Sequence, residues 1–365
     1  MNASRLTPHA SRTIMIMAGG TGGHIFPALA VAEHLRAHGW NIVWLGSRAG
    51  MEATLVAPRG YEMAWISMTG MRGKGLLRLL VLPLQLLIAF WQSARAIFAH
   101  RPDVVLGMGG YASFPGGMMA SLFNRPLAIH EQNSIAGLAN RVLARLADRV
   151  LTGFPGAFGA GSAATWTGNP VRSEIAAIAE PGQRYRARSG QLRLTVIGGS
   201  LGARALNETV PQALAQLPAA ARPLVTHQSG ARELADVEAR YRRAGVAATL
   251  TPFISEIAGQ YADSDVIICR AGASTIAEIA AAGVASVLVP FPHAVDDHQT
   301  HNARFLAARG AALLMPQHEF TPHRLAELLR GFTREALLGM AQKARSVSKP
   351  DATRMVAEAC MELAA

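Results

Sequence analysis

Two blocks of this sequence share one plan. TIMIMAGGTGGHIFPALA, residues 13–30, runs from an apolar segment through four glycines in five positions into an apolar helical pattern. LRLTVIGGSLGA, residues 192–203, repeats it: Gly19, Gly20, Thr21 and Gly23 align with Gly198, Gly199, Ser200 and Gly202. A glycine-rich turn from strand to helix is a strong constraint, because its backbone amides and the helix dipole together form an anion site. Its duplication implies two similar doubly wound α/β domains, and 365 residues suffice for two. Asn169-Pro170, inside TGNPVRSE, is a chain-turning dipeptide. It places the boundary between a first domain, 1–168, and a second, 169–347.

The rest of the chain keeps the same alternation. NIVWLGS, DVVLGMGG, PLAIHEQN, RVLTGF, RPLVTHQSG, DVIICRAG and ASVLVPFP are apolar on consecutive positions, as strands buried on both faces are. Helical patterns separate them, which predicts parallel sheets with right-handed crossovers. The first helix is expected to open at Pro27 and to close at Gly39. Half of the residues are hydrophobic and 16% are charged, so large buried cores are feasible.

Several function classes fall away. The dinucleotide fingerprint needs glycines at positions one, three and six; counted from Gly20 the sixth is Ile25, and counted from Gly198 the third is Ser200. The acid expected after the second strand is replaced by Ser47 and Arg48. No Gly-Lys-Ser/Thr follows either loop, which excludes a P-loop. The loops therefore suit phosphate or sugar rather than NAD; tight turns without a ligand are the other reading. Two cysteines, Cys269 and Cys360, give neither a disulfide framework nor a metal cluster, and they fit a cytosolic protein. A net charge of +11 favours an anionic partner, but basic residues are dispersed and aromatics make up 6%, so a stacking surface for single-stranded nucleic acid is not expected. The N-terminus has no signal-peptide pattern. The longest apolar run, Leu79 to Trp91, is interrupted by Pro83 and Gln85 and falls short of a membrane span.

Chemistry gathers at three places. His24 stands at the start of the first helix, where the positive dipole end favours a neutral ring able to accept a proton; a helix cap is the other reading. In CRAGASTIAEIAAAG, residues 269–283, Glu278 lies one turn into a helix, where it suits vicinal hydroxyls such as those of a ribose. Ser274 or Thr275 with Glu278 also makes a capping box. The loop PFPHAVDDHQTHNA carries His293, Asp296, Asp297, His298, Gln299, His301 and Asn302, a set that suits sugar hydroxyls and superficially suits a metal. The Asp-x-Asp of residues 263–265 precedes a strand rather than following one and is read as a chance match. No metal is expected.

As a set, GGTGGHIFPALAVAEHL, GMGGYASFPGG, HEQNSIAGLANR, GNPVR, GGSLGAR, CRAGASTIAEIAAAG and PFPHAVDDHQTHNA cover nearly the whole chain after residue 12. They resemble the MurG family of UDP-GlcNAc:undecaprenyl-pyrophosphoryl-MurNAc-pentapeptide GlcNAc transferases. The resemblance implies a GT-B fold: two Rossmann-like doubly wound domains facing a cleft, with a C-terminal helix, 348–365, returning to the first. It implies inverting transfer of GlcNAc from UDP-GlcNAc to the MurNAc 4-hydroxyl of lipid I, giving lipid II, with no cofactor. A related GT-B enzyme acting on another lipid or small-molecule acceptor is the alternative. By motif the donor site takes Thr21, Gly22, Gly23, Asn133, Ser200 and the backbone of Ile254. Arg172 meets the diphosphate, Ala273, Ser274, Thr275, Ile276, Ala277 and Glu278 form the helix start with Glu278 on the ribose, and Gln299 and Asn302 hold the GlcNAc hydroxyls. The resemblance makes His24 the candidate for deprotonating the acceptor or stabilising the transition state.

The chain departs from the family pattern at Leu201, where a glutamine is expected, at Ser274, where a leucine is common, and in the loop before Gln299, which is one residue longer. The resemblance also implies partners: UDP-GlcNAc, lipid I, an anionic inner-membrane surface on its cytoplasmic face, and proteins of cell-wall synthesis and division, but no nucleic acid. Residues 71–95 combine Arg72, Lys74, Arg78 and Arg95 with an apolar face suited to that surface; an ordinary core helix is the other reading.

Overall fold

The computed structural model describes residues 11–68, 77–199 and 202–365. The chain forms two compact units. The first holds residues up to Gln132, Ala136–Pro170 and Asp351–Ala365; the second holds Asn133–Ile135 and Val171–Pro350.

The first unit is built on a seven-stranded sheet. Its strands are β1 (Thr13–Met17), β2 (Asn41–Gly46), β3 (Glu62–Trp65), β4 (Val104–Gly107), β5 (Leu127–Glu131), β6 (Arg149–Thr152) and β7 (Thr165–Trp166). They lie in the order β3-β2-β1-β4-β5-β6-β7, and every pairing is parallel. The second unit has six parallel strands: β8 (Arg193–Ile197), β9 (Leu224–Gln228), β10 (Thr249–Thr251), β11 (Val266–Cys269), β12 (Ala285–Leu288) and β13 (Leu313–Leu314). Their order is β10-β9-β8-β11-β12-β13. The repeat seen in the sequence is thus a repeat of fold: in each unit the glycine loop follows the strand at which the order reverses. Ligands of open α/β sheets bind beyond the carboxyl ends of the strands at that reversal.

Consecutive apolar residues in the central strands are buried on both faces, as in β4 and β5, where every residue is buried. Helices cover the first sheet on both sides. One cluster packs Ile14, Ile16, Ile25, Leu29 and Trp44 with Val356, Ala357 and Cys360 of the C-terminal helix Ala352–Leu363. The other packs Met15, Met17, Val43 and Leu45 with Ala89, Ala96 and Ile97 of the helix Leu77–His100.

Two expectations are corrected. The first helix spans Gly22–Ala37 and holds Pro27 inside it rather than opening there. It starts as the glycine loop ends, with the amides of His24 and Ile25 on the Thr21 carbonyl at 3.1 and 3.2 Å, and Pro27 forfeits only one further bond. Nor do Pro83 and Gln85 break the apolar run: Leu77–His100 is one helix, and its Val81–His100 portion is long and apolar enough to cross a membrane. One face of that helix packs: Ala89, Ser93, Ala96 and Ile97 are buried, and Phe90 meets Phe114 at a ring-centroid distance of 6.0 Å. Along the opposite face Val81, Leu84, Leu87, Ile88, Trp91 and Phe98 are exposed, so it is not an ordinary core helix. Arg95 lies over the Trp91 ring at 5.9 Å. Arg72, Lys74 and the Arg78 side chain lie outside what is described.

Candidate active site

In the first unit, two glycine turns meet at the β1/β4 reversal. Gly20 has φ +91°, and Gly109 and Gly110, after β4, have φ +88° and +82°. A side chain at Gly110 would collide with the Gly19 carbonyl, so glycine is required there by the approach of the two backbones as well as by φ. Buried Ser113 ties the turns together by donating to the carbonyls of Met17 and Gly109, both at 2.8 Å. Beneath the first loop lies Glu52, fully buried; its Oε1 accepts from the Tyr111 hydroxyl at 2.7 Å and the Ser47 amide at 3.2 Å. Burial first, and the neighbouring Glu52 second, push the Tyr111 phenol far above its ordinary range.

Thr21 is the N-cap residue of Gly22–Ala37, and its side chain makes no capping bond. His24, half-buried, lies inside the first turn rather than at the N-cap. Nδ1 instead lies 2.8 Å from Oε1 of Gln132, which follows β5. Behind Gln132 stands His130, wholly buried, with its pKa pushed down to about 4 by burial. His24, His130 and Gln132 thus form one connected polar column, of which only His24 was legible as a candidate.

In the second unit, Gly199 and Gly202 have positive φ, and a side chain at Gly202 would strike the Ser229 carbonyl. Ser200 and Leu201 lie outside the described residues. Gln228, at the end of β9, clamps this turn: its Nε2 donates to the Gly199 carbonyl at 2.8 Å and its Oε1 accepts the Ile254 amide at 3.3 Å. The Ile254 amide is thereby engaged, which leaves its carbonyl as the backbone group to offer a ligand.

The helix Ala273–Ala282 follows β11 and has Gly272 as its N-cap residue. Ser274 and Thr275 lie inside its first turn, so the capping box expected with Glu278 does not form. Glu278 is 8% exposed and is held from two sides. Arg172 donates to Oε1 at 2.8 Å and the Tyr261 hydroxyl to Oε2 at 2.9 Å. Tyr261 is fully buried, and burial followed by the Glu278 charge raises its pKa far up, which keeps it a donor. The structure thus joins Arg172 and Glu278, expected on separate parts of a nucleotide, into one ion pair. Each carboxylate oxygen keeps a further lone pair for a hydroxyl.

Gln299, in the helix His298–Ala307, accepts the amides of Phe291 at 2.9 Å and Ala271 at 3.3 Å. Asn302 is fully buried. Its Oδ1 accepts from the Ser134 amide and hydroxyl at 2.9 and 2.8 Å, and its Nδ2 donates to the Ala271 carbonyl at 3.2 Å and to Asn133 Oδ1 at 3.3 Å. Through these bonds Asn302 anchors Asn133 and Ser134. Asp263 and Asp265 diverge: Asp263 pairs with Arg193 at the surface, whereas buried Asp265 pairs with Arg188 at 2.8 Å and Arg334 at 3.2 Å. Among the described residues no three His, Cys, Asp or Glu side chains converge as a metal group.

Residues 14–152 match the glycosyltransferase family 28 N-terminal domain and residues 193–356 the family 28 C-terminal domain. The protein named UDP-N-acetylglucosamine–N-acetylmuramyl-(pentapeptide) pyrophosphoryl-undecaprenol N-acetylglucosamine transferase from Nitrosospira multiformis is 60% identical over 355 residues, 97% of this chain and 99% of its own length. Its namesake from Dechloromonas aromatica is 59% identical over 354 residues, with the same coverage of 97% and 99%. A crystal structure of MurG from Acinetobacter baumannii superposes with a TM-score of 0.81 at 39% identity, covering 96% of this chain and 99% of that one. The chain belongs to this family of UDP-N-acetylglucosamine transferases, within glycosyltransferase family 28.

Proposed function

We propose that this chain transfers GlcNAc from UDP-GlcNAc to the MurNAc 4-hydroxyl of undecaprenyl-pyrophosphoryl-MurNAc-pentapeptide, lipid I, giving lipid II and UDP in peptidoglycan synthesis. The observation that carries this reading is 60% identity across 97% of the chain to a protein named for that transfer. The reaction is a single displacement with inversion. The acceptor hydroxyl loses its proton to His24 as its oxygen bonds to the anomeric carbon. The bond from that carbon to the diphosphate breaks, and its electron pair leaves with UDP.

The donor contacts follow the motif residues. Glu278, fixed by Arg172 and Tyr261, accepts from the ribose hydroxyls. Arg172, beside it, meets the diphosphate together with Ser200. Thr21, Gly22 and Gly23, with Asn133, complete the contacts; the Ile254 carbonyl meets the uracil, and Gln299 meets the GlcNAc. The protein works as a peripheral protein on the cytoplasmic face of the inner membrane, with the exposed stripe of Val81, Leu84, Leu87, Ile88 and Trp91 against lipid.

The test is mass-detected transfer from UDP-GlcNAc to a soluble lipid I analogue in the presence of EDTA. Wild type is expected to make the disaccharide product. His24→Ala is expected to lower kcat by roughly 10²–10⁴, the usual worth of a positioned base. Glu278→Gln is expected to weaken UDP-GlcNAc binding while keeping the Tyr261 bond. UDP binding without any transfer would overturn the acceptor assignment in favour of another lipid or small-molecule acceptor. Near-normal kcat in His24→Ala would remove the base role and leave the enzyme assignment standing.

A further inference from the structure

The hydrogen bonds around His24 have only one consistent direction. A carbonyl oxygen can only accept, and two carbonyls anchor the column. Gln132 Nε2 lies 3.1 Å from the His130 carbonyl, so the amide nitrogen faces that way and Oε1 faces His24. His130 Nε2 lies 2.9 Å from the Gly168 carbonyl, so that nitrogen carries the proton. A neutral His130 then presents an unprotonated Nδ1, 3.1 Å from the same Gln132 Nε2, which donates to it as well. Both ends thus agree on the orientation of the amide. Gln132 Oε1 can only accept, so the nitrogen 2.8 Å from it, His24 Nδ1, must carry hydrogen. The ring nitrogen left with a lone pair is Nε2, which has no partner among the described residues.

We infer that Gln132 and His130 are positioning residues, which hold His24 as its Nδ1–H tautomer so that Nε2 is the atom that takes the acceptor proton. The column gives His24 the kind of buried orienting partner that sets which ring nitrogen acts, using a neutral amide where other sites use a carboxylate. It is secured at its far end: the Asn169 side chain donates to the Gln132 carbonyl at 2.9 Å, fixing the backbone that carries the amide. Burial, which lowers the His130 pKa to about 4, keeps that ring neutral near pH 7 and so preserves the single direction. Free exchange of the His24 tautomer would leave part of the enzyme with a protonated Nε2, unable to act as base.

The inference rests on the base role proposed above for His24, and the experiment separates the two. The full-length protein is labelled with ¹⁵N-histidine, and the His24 ring signals are identified by their loss in His24→Ala. In wild type Nδ1 is expected to show the shift of a protonated nitrogen and Nε2 that of an unprotonated one. Gln132→Leu removes the acceptor: Nε2–H becomes populated, kcat falls by tenfold or more, and KM for UDP-GlcNAc stays unchanged. Gln132→Glu restores an acceptor; in it the Nδ1–H signature returns, with part of kcat, even if Gln132→Leu is too unstable to study. A protonated Nε2 in wild type, or an unaltered tautomer in a folded Gln132→Leu, overturns the inference. A changed tautomer in Gln132→Leu, with kcat unchanged there and in His24→Ala, overturns the base role, and the catalytic purpose of the column with it.

Discussion

Gly109 shows how narrowly the His24 column is cut. A methyl group on it would lie 2.6 Å from His24 Nδ1 and 3.1 Å from Gln132 Oε1, inside the bond between them, and its φ of +88° already disfavours any other residue. Gly109→Ala therefore strains the backbone by about 1–3 kcal/mol and displaces the ring. A base moved by about 1 Å can cost around a hundredfold in rate. The expected result is a folded protein that binds UDP normally, by calorimetry, with kcat reduced at least tenfold; unchanged kcat would show that the column tolerates a wedge. The glycines and His24 were legible because their spacing is local and their backbone demands are specific. Gln132, His130, Gln228, Tyr261 and Glu52 were not, although HEQN and GMGGY drew notice as motifs. Gln132 lies 108 positions from His24, and Tyr261 acquires its meaning only by donating to Glu278. Asn302 shows a related limit: an amide in a polar loop reads as a ligand contact, and only the fold shows that its groups are engaged with Ser134, Asn133 and Ala271.

Among the elements, the central strands were plain, since long apolar runs buried on both faces have no other stable home. The short edge strands β3, β7, β10 and β13 escaped notice. They span two to four residues each and are partly exposed, so sheet pairing rather than side-chain pattern makes them strands. The helix Leu77–His100 was ambiguous for a different reason. Its sequence is apolar on both faces, and composition cannot say which face packs. Leu84 and Leu87 are 59% and 65% exposed, so replacing both by glutamate should alter stability little, within about 0.5 kcal/mol per site. If this face enters lipid, each leucine contributes about 1.5–3 kcal/mol of transfer when fully buried. Leu84→Glu with Leu87→Glu is then expected to lower binding to anionic phospholipid vesicles by tenfold or more in co-sedimentation, with transfer to a soluble acceptor intact. Full vesicle binding by a folded double variant would assign membrane contact elsewhere.

At the scale of the molecule, the duplicated turn announced two doubly wound units, but not how the chain is shared between them. Residues 133–135 pack with the second unit while their neighbours on either side belong to the first, and the chain returns to the first at Asp351. Such exchanges depend on contacts far apart in sequence. The return has an energetic consequence, because Val356, Ala357 and Cys360 are fully buried in the core that includes Ile25 and Leu29. The first unit is therefore completed by the last residues of the chain. Val356→Asp places an unpaired carboxylate in that core, where an uncompensated charge costs about 3–5 kcal/mol. Because the buried cluster that holds Val356 is made of first-unit residues, the loss falls on that unit. Hydrogen exchange is expected to show β1, β2 and the helix Gly22–Ala37 losing protection while β8, β9 and β11 keep theirs. UDP binding by the second unit is expected to outlast transfer as temperature rises. Equal loss of protection in both sheets would mean that the two units unfold as one cooperative body, and that the terminal helix stabilises the whole chain rather than the unit it completes.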